Sequence, residues 1–450
     1  MGSHVSVKDA VLVSPVEPTP SKILALSALD SQLFLGFTIE YLLVYKPHPG
    51  LDRDRVAVRL KGALAQALVP YYPLAGRVKA KPDGSRLEVL CRAQGVLFIE
   101  AVADHIVISD FERPPKHVTE WRGLLSLHVA DVLKEPPPLV VQLTWLRDGA
   151  AALAVGIKHC LCDGIGSAEF LNSFAELAKL GGLALKLKAK PKPKAKTVWD
   201  RHLMDPPMPR RLPCGGVHSS AAQTHPEFNR VPDLCSFTSR FTNERLIPTS
   251  ITFNRASLDE LKRLASSTGR LSDSAFTSFE VVTAHIWRSW ARSLNLPPNQ
   301  TLKLLFSVNV RNRVKPSLPS GYYGNAFVLA CAQASVKDIA EKGLGFATML
   351  VKREKDRIDD EYVRTVVETV SESRACPDSV GVLIVSQWSR LGLDRVDFGM
   401  GRPVNVGPVC CDRYCLLLPL HDRSDAVKVM VALPASAVER YECLVKSPCT

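Results

Sequence analysis

The stretch GIKHCLCDGIGSAEFLNSF, residues 156–174, decides how this chain is read. Just before and into it runs AALAVGIK (residues 151–158), a short apolar segment of strand length. After it, IGSAEFLNSFAELAKL carries Ile165, Phe170, Phe174 and Leu177 at helical spacing. His159 therefore stands where a buried strand ends and a helix is about to start, and such strand-end loops are where α/β folds place their chemistry. Four positions on comes Asp163, then Gly164. The five-letter pattern His-x-x-x-Asp recurs from His48 to Asp52 and from His421 to Asp425, but there Arg53 and Ala426 follow instead of glycine. With 11 histidines and Asp and Gly each at roughly 6 % of a typical chain, on the order of 0.04 six-letter matches arise by chance. His159 is thus read as a functional side chain in place of a core histidine satisfied by backbone.

At 450 residues the chain is long enough for two domains with large cores. A hydrophobic content of 46 % with 23 % charged residues is ordinary for a globular protein. No apolar run reaches membrane-spanning length and no signal-peptide pattern opens the chain, so a cytoplasmic protein without a membrane span is expected. The opening MGSHVS fits the N-myristoylation pattern, which is short enough to be read as incidental. Twelve scattered cysteines lack zinc-finger spacing and fit a reducing compartment. No His/Cys/Asp cluster has ligand spacing, so no metal is expected.

The net charge of +12 raises the question of nucleic acid. Half of it lies at Lys186, Lys188, Lys190, Lys192, Lys194 and Lys196, interleaved with Pro191 and Pro193 and with no aromatic residue to stack a base. This run reads as a solvated interdomain linker; a basic surface would still help draw in a polyanionic co-substrate.

Two mixed α/β halves flank the linker. Before it, FTIEYLLVY reads as a strand, DRVAVRLKGALAQALVPYYP as a helix stopped by Pro70, and LEVLCR and GVLFIEA as a strand pair. After it come SITFNR as strand, ASLDELKRLASS as helix, a long helix from Asp273 capped by Ser272, LKLLFSVNV as strand, DIAEKGLGFATMLVKREKDRI as one helix, and short strands near 382–387, 415–419 and 427–432.

Several stretches together resemble one family, the BAHD acyltransferases of plants, which move an acyl group from an acyl-coenzyme A thioester to an alcohol or amine. The likeness rests on LSALD (residues 26–30), YYPLAGR (71–77), HCLCDG (159–164), TSFEVVTAHIWR (277–288), NVRNR (309–313), LPSGYYGN (318–325) and DFGMGRP (397–403). It implies an α/β fold of two chloramphenicol-acetyltransferase-like domains with an active-site channel between them: residues 1–185, a lysine- and proline-rich linker at 186–235, and residues 236–450. A segment near 380–403 is expected to cross over and complete the first domain. The resemblance implies that Asp163 points away from the histidine and pairs with Arg311, and that Gly164, Asp397 and Gly399 are structural. Met400 stands where the family usually has Trp.

Acyl transfer to a hydroxyl needs a base for its proton, an acid for the departing thiolate and donors for the oxyanion. An imidazole with an ordinary pKa near 6.5 can be both base and acid, and His159 is the candidate for both. No Gly-x-Ser-x-Gly nucleophile is present, which favours direct transfer in a ternary complex. Ser386 and Trp388 match family positions that face the channel. Without a glycine-rich phosphate cradle, coenzyme A is expected at the helix start near Asp273, with Thr277 and Ser278 as contacts. The expected activity is transfer of an aromatic (hydroxycinnamoyl or benzoyl) or fatty acyl group from acyl-CoA, a co-substrate and not a bound cofactor, to an alcohol acceptor by a monomer. Two other readings stand beside it: N-acylation of an amine or polyamine, and a noncatalytic acyl-CoA or metabolite-binding protein, against which the retention of His159, Asp163 and Gly164 argues.

Overall fold

The structure, a computed structural model, describes residues 5–48, 52–112, 121–187, 196–205, 225–267, 275–373, 375–409 and 414–447. Among them are two six-stranded sheets and one three-stranded sheet. In the first large sheet the order is β1 (Ser6–Val13), β6 (Val96–Ala103), β7 (Leu139–Leu146), β8 (Ala151–Lys158), β3 (Thr38–Tyr45) and β13 (Asn405–Pro408). In the second it is β11 (Phe327–Ser335), β10 (Thr301–Asn309), β12 (Val382–Gln387), β14 (Cys415–Leu420), β15 (Arg423–Pro434) and β9 (Leu246–Phe253). The small sheet joins β2 (Lys22–Ala25), β5 (Leu87–Cys91) and β4 (Arg77–Ala80). Among the described residues no helix is long and apolar enough to cross a membrane.

The strand periodicity of two explains the layering. In the first sheet Tyr41, Leu43, Leu153 and Val155 pack with the helices Arg53–Ala67 and Gly164–Leu187, while Leu42, Val44, Ala152 and Ala154 face a separate apolar cluster on the other side. Both faces are covered, which is why β7 is buried at every position. In the second sheet Cys415, Leu417, Val429 and Val431 meet the helices Ser278–Ser293 and Gly343–Asp356. Alternate residues Leu416, Leu418 and Met430 turn the other way and join the first sheet's core. The two sheets thus approach each other across the helix-free face of the second.

Several expectations are corrected by the pairing. LEVLCR and GVLFIEA do not pair with each other: β5 pairs with β2 and β4, and β6 with β1 and β7. The long helix expected from Asp273 starts at Ser278, and Ser272 and Asp273 lie outside the described residues. The single helix expected at DIAEKGLGFATMLVKREKDRI is broken at Gly343, whose φ of 78° lies in the left-handed region. The crossing strand is displaced too. Val382–Gln387 pairs on both sides within the second sheet, and the strand that joins the first sheet is Asn405–Pro408, antiparallel to β3 and just past the expected 380–403 span.

We place the divide between the halves in the 186–235 stretch, most of which, including Lys188, Lys190, Lys192 and Lys194, lies outside the described residues. The helix from Gly164 runs to Leu187 and so covers the first two residues of that stretch. The stretch is tied down in its first third, where the Val198 amide donates to the Gly321 carbonyl (2.8 Å) and the Tyr323 amide to the Val198 carbonyl (2.9 Å). Gly321 makes this possible: its φ is 84°, and a Cβ there would collide with the carbonyl of Lys196. Gly321→Ala should therefore cost at least about 1–2 kcal/mol from the left-handed backbone alone, read as a lowered melting temperature.

Candidate active site

Strand β8 ends at Lys158 and a short 3-10 turn, His159–Leu161, leads into the helix that begins at Gly164. The His159 amide donates to the Phe37 carbonyl (2.9 Å), so the residue is held by the neighbouring strand's end. Its ring is partly covered by aromatic neighbours: Phe37 meets it edge-on at 5.1 Å and Phe327 lies 5.7 Å away. Phe37 in turn packs on Tyr414. Burial pulls the imidazole below the ordinary histidine value of 6.5, against its own carbonyl, Asp163 and Asn325, which raise it.

Nδ1 of His159 lies 3.0 Å from Oδ1 of Asn325, and among the described residues Nε2 has no hydrogen-bond partner. Asn325 is completely buried. Its Nδ2 donates to the His159 carbonyl (2.8 Å) and to Oδ1 of Asp30 (2.9 Å). Asp30 is itself completely buried. It also accepts from the Asn325 amide, from the Ser27 amide and hydroxyl, and from Nη1 of Arg201 at 3.0 and 3.1 Å. Arg201 completes the circuit by donating to the Leu161 carbonyl (2.7 Å).

Asp163 does not touch His159. Its Oδ1 caps the helix by accepting from the Gly166 amide (3.0 Å), and Arg311 grips both oxygens at 2.8 and 3.0 Å while the Ala326 amide donates to Oδ2 (3.0 Å). Burial alone would raise this carboxyl, but Arg311 and the two amides outweigh it and hold it below the usual aspartate range. Gly164 follows at the helix start, with Leu391 3.2 Å from where its Cβ would be. Cys160 and Cys162 are thiols, pushed up to about 12 and about 11 by burial, so neither is an activated nucleophile.

The other residues singled out from the sequence fall in three places. Ser386 is half-buried on the face of β12 opposite Leu383 and Val385, which lie in the second core. Trp388 stacks on Tyr41 at 4.8 Å, and its amide donates to the Leu417 carbonyl. Asp397 accepts from Lys179 Nζ (2.7 Å) and from the amides of Gly399 and Gly401, while Arg59 donates to the Phe398 carbonyl. Gly399 has a φ of 80°, and Met400 is buried in the first core where a larger Trp is usual. This loop is a packing device against two helices.

Thr277 is the N-cap of its helix, and with Glu280 it forms a capping box: each side chain takes the other's amide. Two of the helix-start donors are therefore consumed, and the Glu280 carboxylate, itself paired with Lys355, opposes an anion there. This geometry speaks against the phosphate role expected for Thr277 and Ser278. In the other two His-x-x-x-Asp copies, Asp52 caps the helix Arg53–Ala67 and His421 pairs with the adjacent Asp422. Among the described residues there is no group able to hold a metal ion.

The sequence reading had not singled out Asp30, Arg201, Asn325, Phe37 or Phe327. Asp30 and Asn325 close two of the quoted stretches, LSALD and LPSGYYGN. The available signal was a lone polar residue ending an otherwise apolar or turn-forming segment.

Residues 3–444 match the sequence profile described as the Transferase family. The chain is 32% identical over 446 residues to the omega-hydroxypalmitate O-feruloyl transferase of Arabidopsis thaliana, covering 98% of this chain and 92% of that one. Among solved structures it resembles vinorine synthase, with a TM-score of 0.74 at 20% identity, covering 99% and 98% of the two chains. It also resembles TRI101 of F. graminearum complexed with coenzyme A and deoxynivalenol, with a TM-score of 0.73 at 14% identity over 94% and 97%.

Removing Asp163 would leave the Arg311 charge in the junction without its partner. Asp163→Ala should cost ~3–5 kcal/mol of unfolding free energy, and activity should fall with folding. Because the Asp163 pKa is depressed, the clamp's contribution is present above pH ~4 and is lost as pH falls through the folded value; a mutant of wild-type stability with lost turnover would contradict this role. Thr277→Ala should cost about 1 kcal/mol and leave the apparent affinity for the acyl donor unchanged, measured by unfolding and by KM.

Proposed function

The chain belongs to the BAHD acyltransferases, and on that premise we propose that it transfers an aromatic or fatty acyl group from coenzyme A to an alcohol, with the His159 imidazole carrying the proton. The observation that carries this reading is the state of one ring: Nδ1 is engaged by Asn325, and among the described residues Nε2 of this half-buried histidine has no hydrogen-bond partner. A nitrogen so placed can accept a proton from an incoming hydroxyl and return it.

In the proposed reaction Nε2 takes the hydroxyl proton as the alcohol oxygen attacks the thioester carbon. The carbon–sulfur bond then breaks, and the imidazolium gives the same proton to the departing sulfur, leaving an ester and free coenzyme A. We assign the Ser386 hydroxyl and the Trp388 indole to the oxyanion that forms between these steps. Asp163 and Arg311 keep the loop in place and take no proton. Both cysteines being protonated thiols supports direct transfer in a ternary complex.

Apolar substrates suit this surrounding. Phe37 and Phe327 wall the imidazole, with Tyr414 packed behind Phe37, and such rings favour an acyl chain or aryl group over a charged one. The Arabidopsis relative is named for joining a feruloyl group to a hydroxy fatty acid, a pairing of the same kind. A panel of acyl-CoA donors against aliphatic and aromatic alcohols and a polyamine, read by mass spectrometry, tests the pairing; selective amide formation would replace it.

His159→Ala should lower turnover by ~10²- to 10⁴-fold with folding and donor affinity retained, measured as release of free thiol. His421→Ala should match wild type. In the native enzyme the acid limb of kcat/KM should have its midpoint below 6.5, because burial lowers the His159 pKa and the base works only when unprotonated. A folded His159→Ala variant with near wild-type turnover would remove the histidine from the chemistry.

A further inference from the structure

We propose that Asn325 is the positioning residue of His159, held by the buried Asp30–Arg201 pair so that the imidazole keeps its proton on Nδ1 and its lone pair on Nε2. This rests on the reading of His159 as the proton carrier, yet it concerns a different property of the ring.

The argument is one of donors and acceptors. An asparagine side chain has one end that only donates and one that only accepts. The Nδ2 end faces Oδ1 of Asp30 and the carbonyl of His159. A carbonyl has no hydrogen to give, and the Asp30 carboxylate already accepts from Arg201, from Ser27 and from the Asn325 amide. Turning the amide over would set its oxygen against two acceptors. The orientation is therefore dictated by the network, and the oxygen must be the atom 3.0 Å from Nδ1. An acceptor at that distance requires Nδ1 to carry the hydrogen, so in the neutral ring Nε2 bears the lone pair.

The network is also rigid. Asp30 and Asn325 have no exposed surface and the Arg201 side chain is 2% exposed. Arg201 reaches the Leu161 carbonyl, and Asn325 Nδ2 reaches the His159 carbonyl, so the pair grips both ends of the short turn that carries the histidine. A carboxylate thus stands behind the imidazole after all, but it is Asp30, acting through an amide, and not Asp163. Without the Asn325 oxygen the proton would be shared between the two ring nitrogens, and only part of the population would present a free Nε2.

The first test uses the unmodified chain. With ¹⁵N-labelled histidine, ring correlation spectra at a pH where His159 is neutral should show a protonated Nδ1 and an unprotonated Nε2, the signals being identified by their disappearance in His159→Ala. A ring protonated mainly on Nε2 overturns the proposal, whatever the activity of any variant. The second test is Asn325→Ala: kcat should fall about 10- to 100-fold, less than for loss of the imidazole itself, with KM for donor and acceptor within about twofold and the surviving His159 signal shifted to an averaged tautomer. A folded Asn325→Ala enzyme with unchanged ring signals and unchanged kcat overturns it as well, and so does a loss of activity that follows the folded fraction with the tautomer unaltered. These outcomes separate from the His159 reading, which fails only if His159→Ala keeps its turnover.

Discussion

The bidentate pair between Asp163 and Arg311 is the contact on which the junction of the two halves depends. Asp163 belongs to the loop that follows the first sheet's strand β8, whereas Arg311 follows β10 in the second sheet. The same carboxylate caps the helix from Gly164 and accepts from the Ala326 amide, so four donors from three segments converge on two oxygens. Pairing, hydrogen bonding and capping together offset the cost of burying the charge. Because the loop also carries His159, whatever fixes Asp163 fixes where the imidazole can stand.

A second buried aspartate repeats the device with a different result. Asp30 is clamped by Arg201 much as Asp163 is by Arg311, but its remaining valences are spent on Asn325 and through it on the imidazole. Two arginine–aspartate pairs therefore flank the His159 turn. Neither places a carboxylate against the ring, and the ring's immediate neighbours are Phe37, Phe327 and one amide oxygen. Such a setting favours the neutral imidazole, the direction in which burial moves its pKa.

The DFGMG loop works at another scale. Asp397 collects Lys179 and two backbone amides, Arg59 holds the Phe398 carbonyl, and Phe398 packs between Tyr45 and Phe174. These contacts turn the chain toward β13, whose pairing with β3 adds a strand from the C-terminal part of the sequence to the first sheet. Met400 fills a core position there, and an unbranched thioether adapts to an irregular space.

Local pattern was enough for much of this. Period-two and helical spacing marked most strands and helices, the apolar run before His159 marked the strand end, and the extended motif picked one histidine out of three candidates. Each of these is a property of neighbours in the chain, which is why it can be read from the chain. What tertiary structure alone decided is which distant residues meet. The strand pair expected from residues 87–101 was separated because each strand found its partners elsewhere, and the crossing strand lay one loop later because β12 paired on both sides, with β10 and β14. The helix near 277 began where the capping box closed, which took two of its first amides and set a carboxylate beside them. Asp30, Arg201 and Asn325 lie up to 295 residues apart, and no spacing rule links them. They share one site because a buried carboxylate must find its donors wherever the fold supplies them.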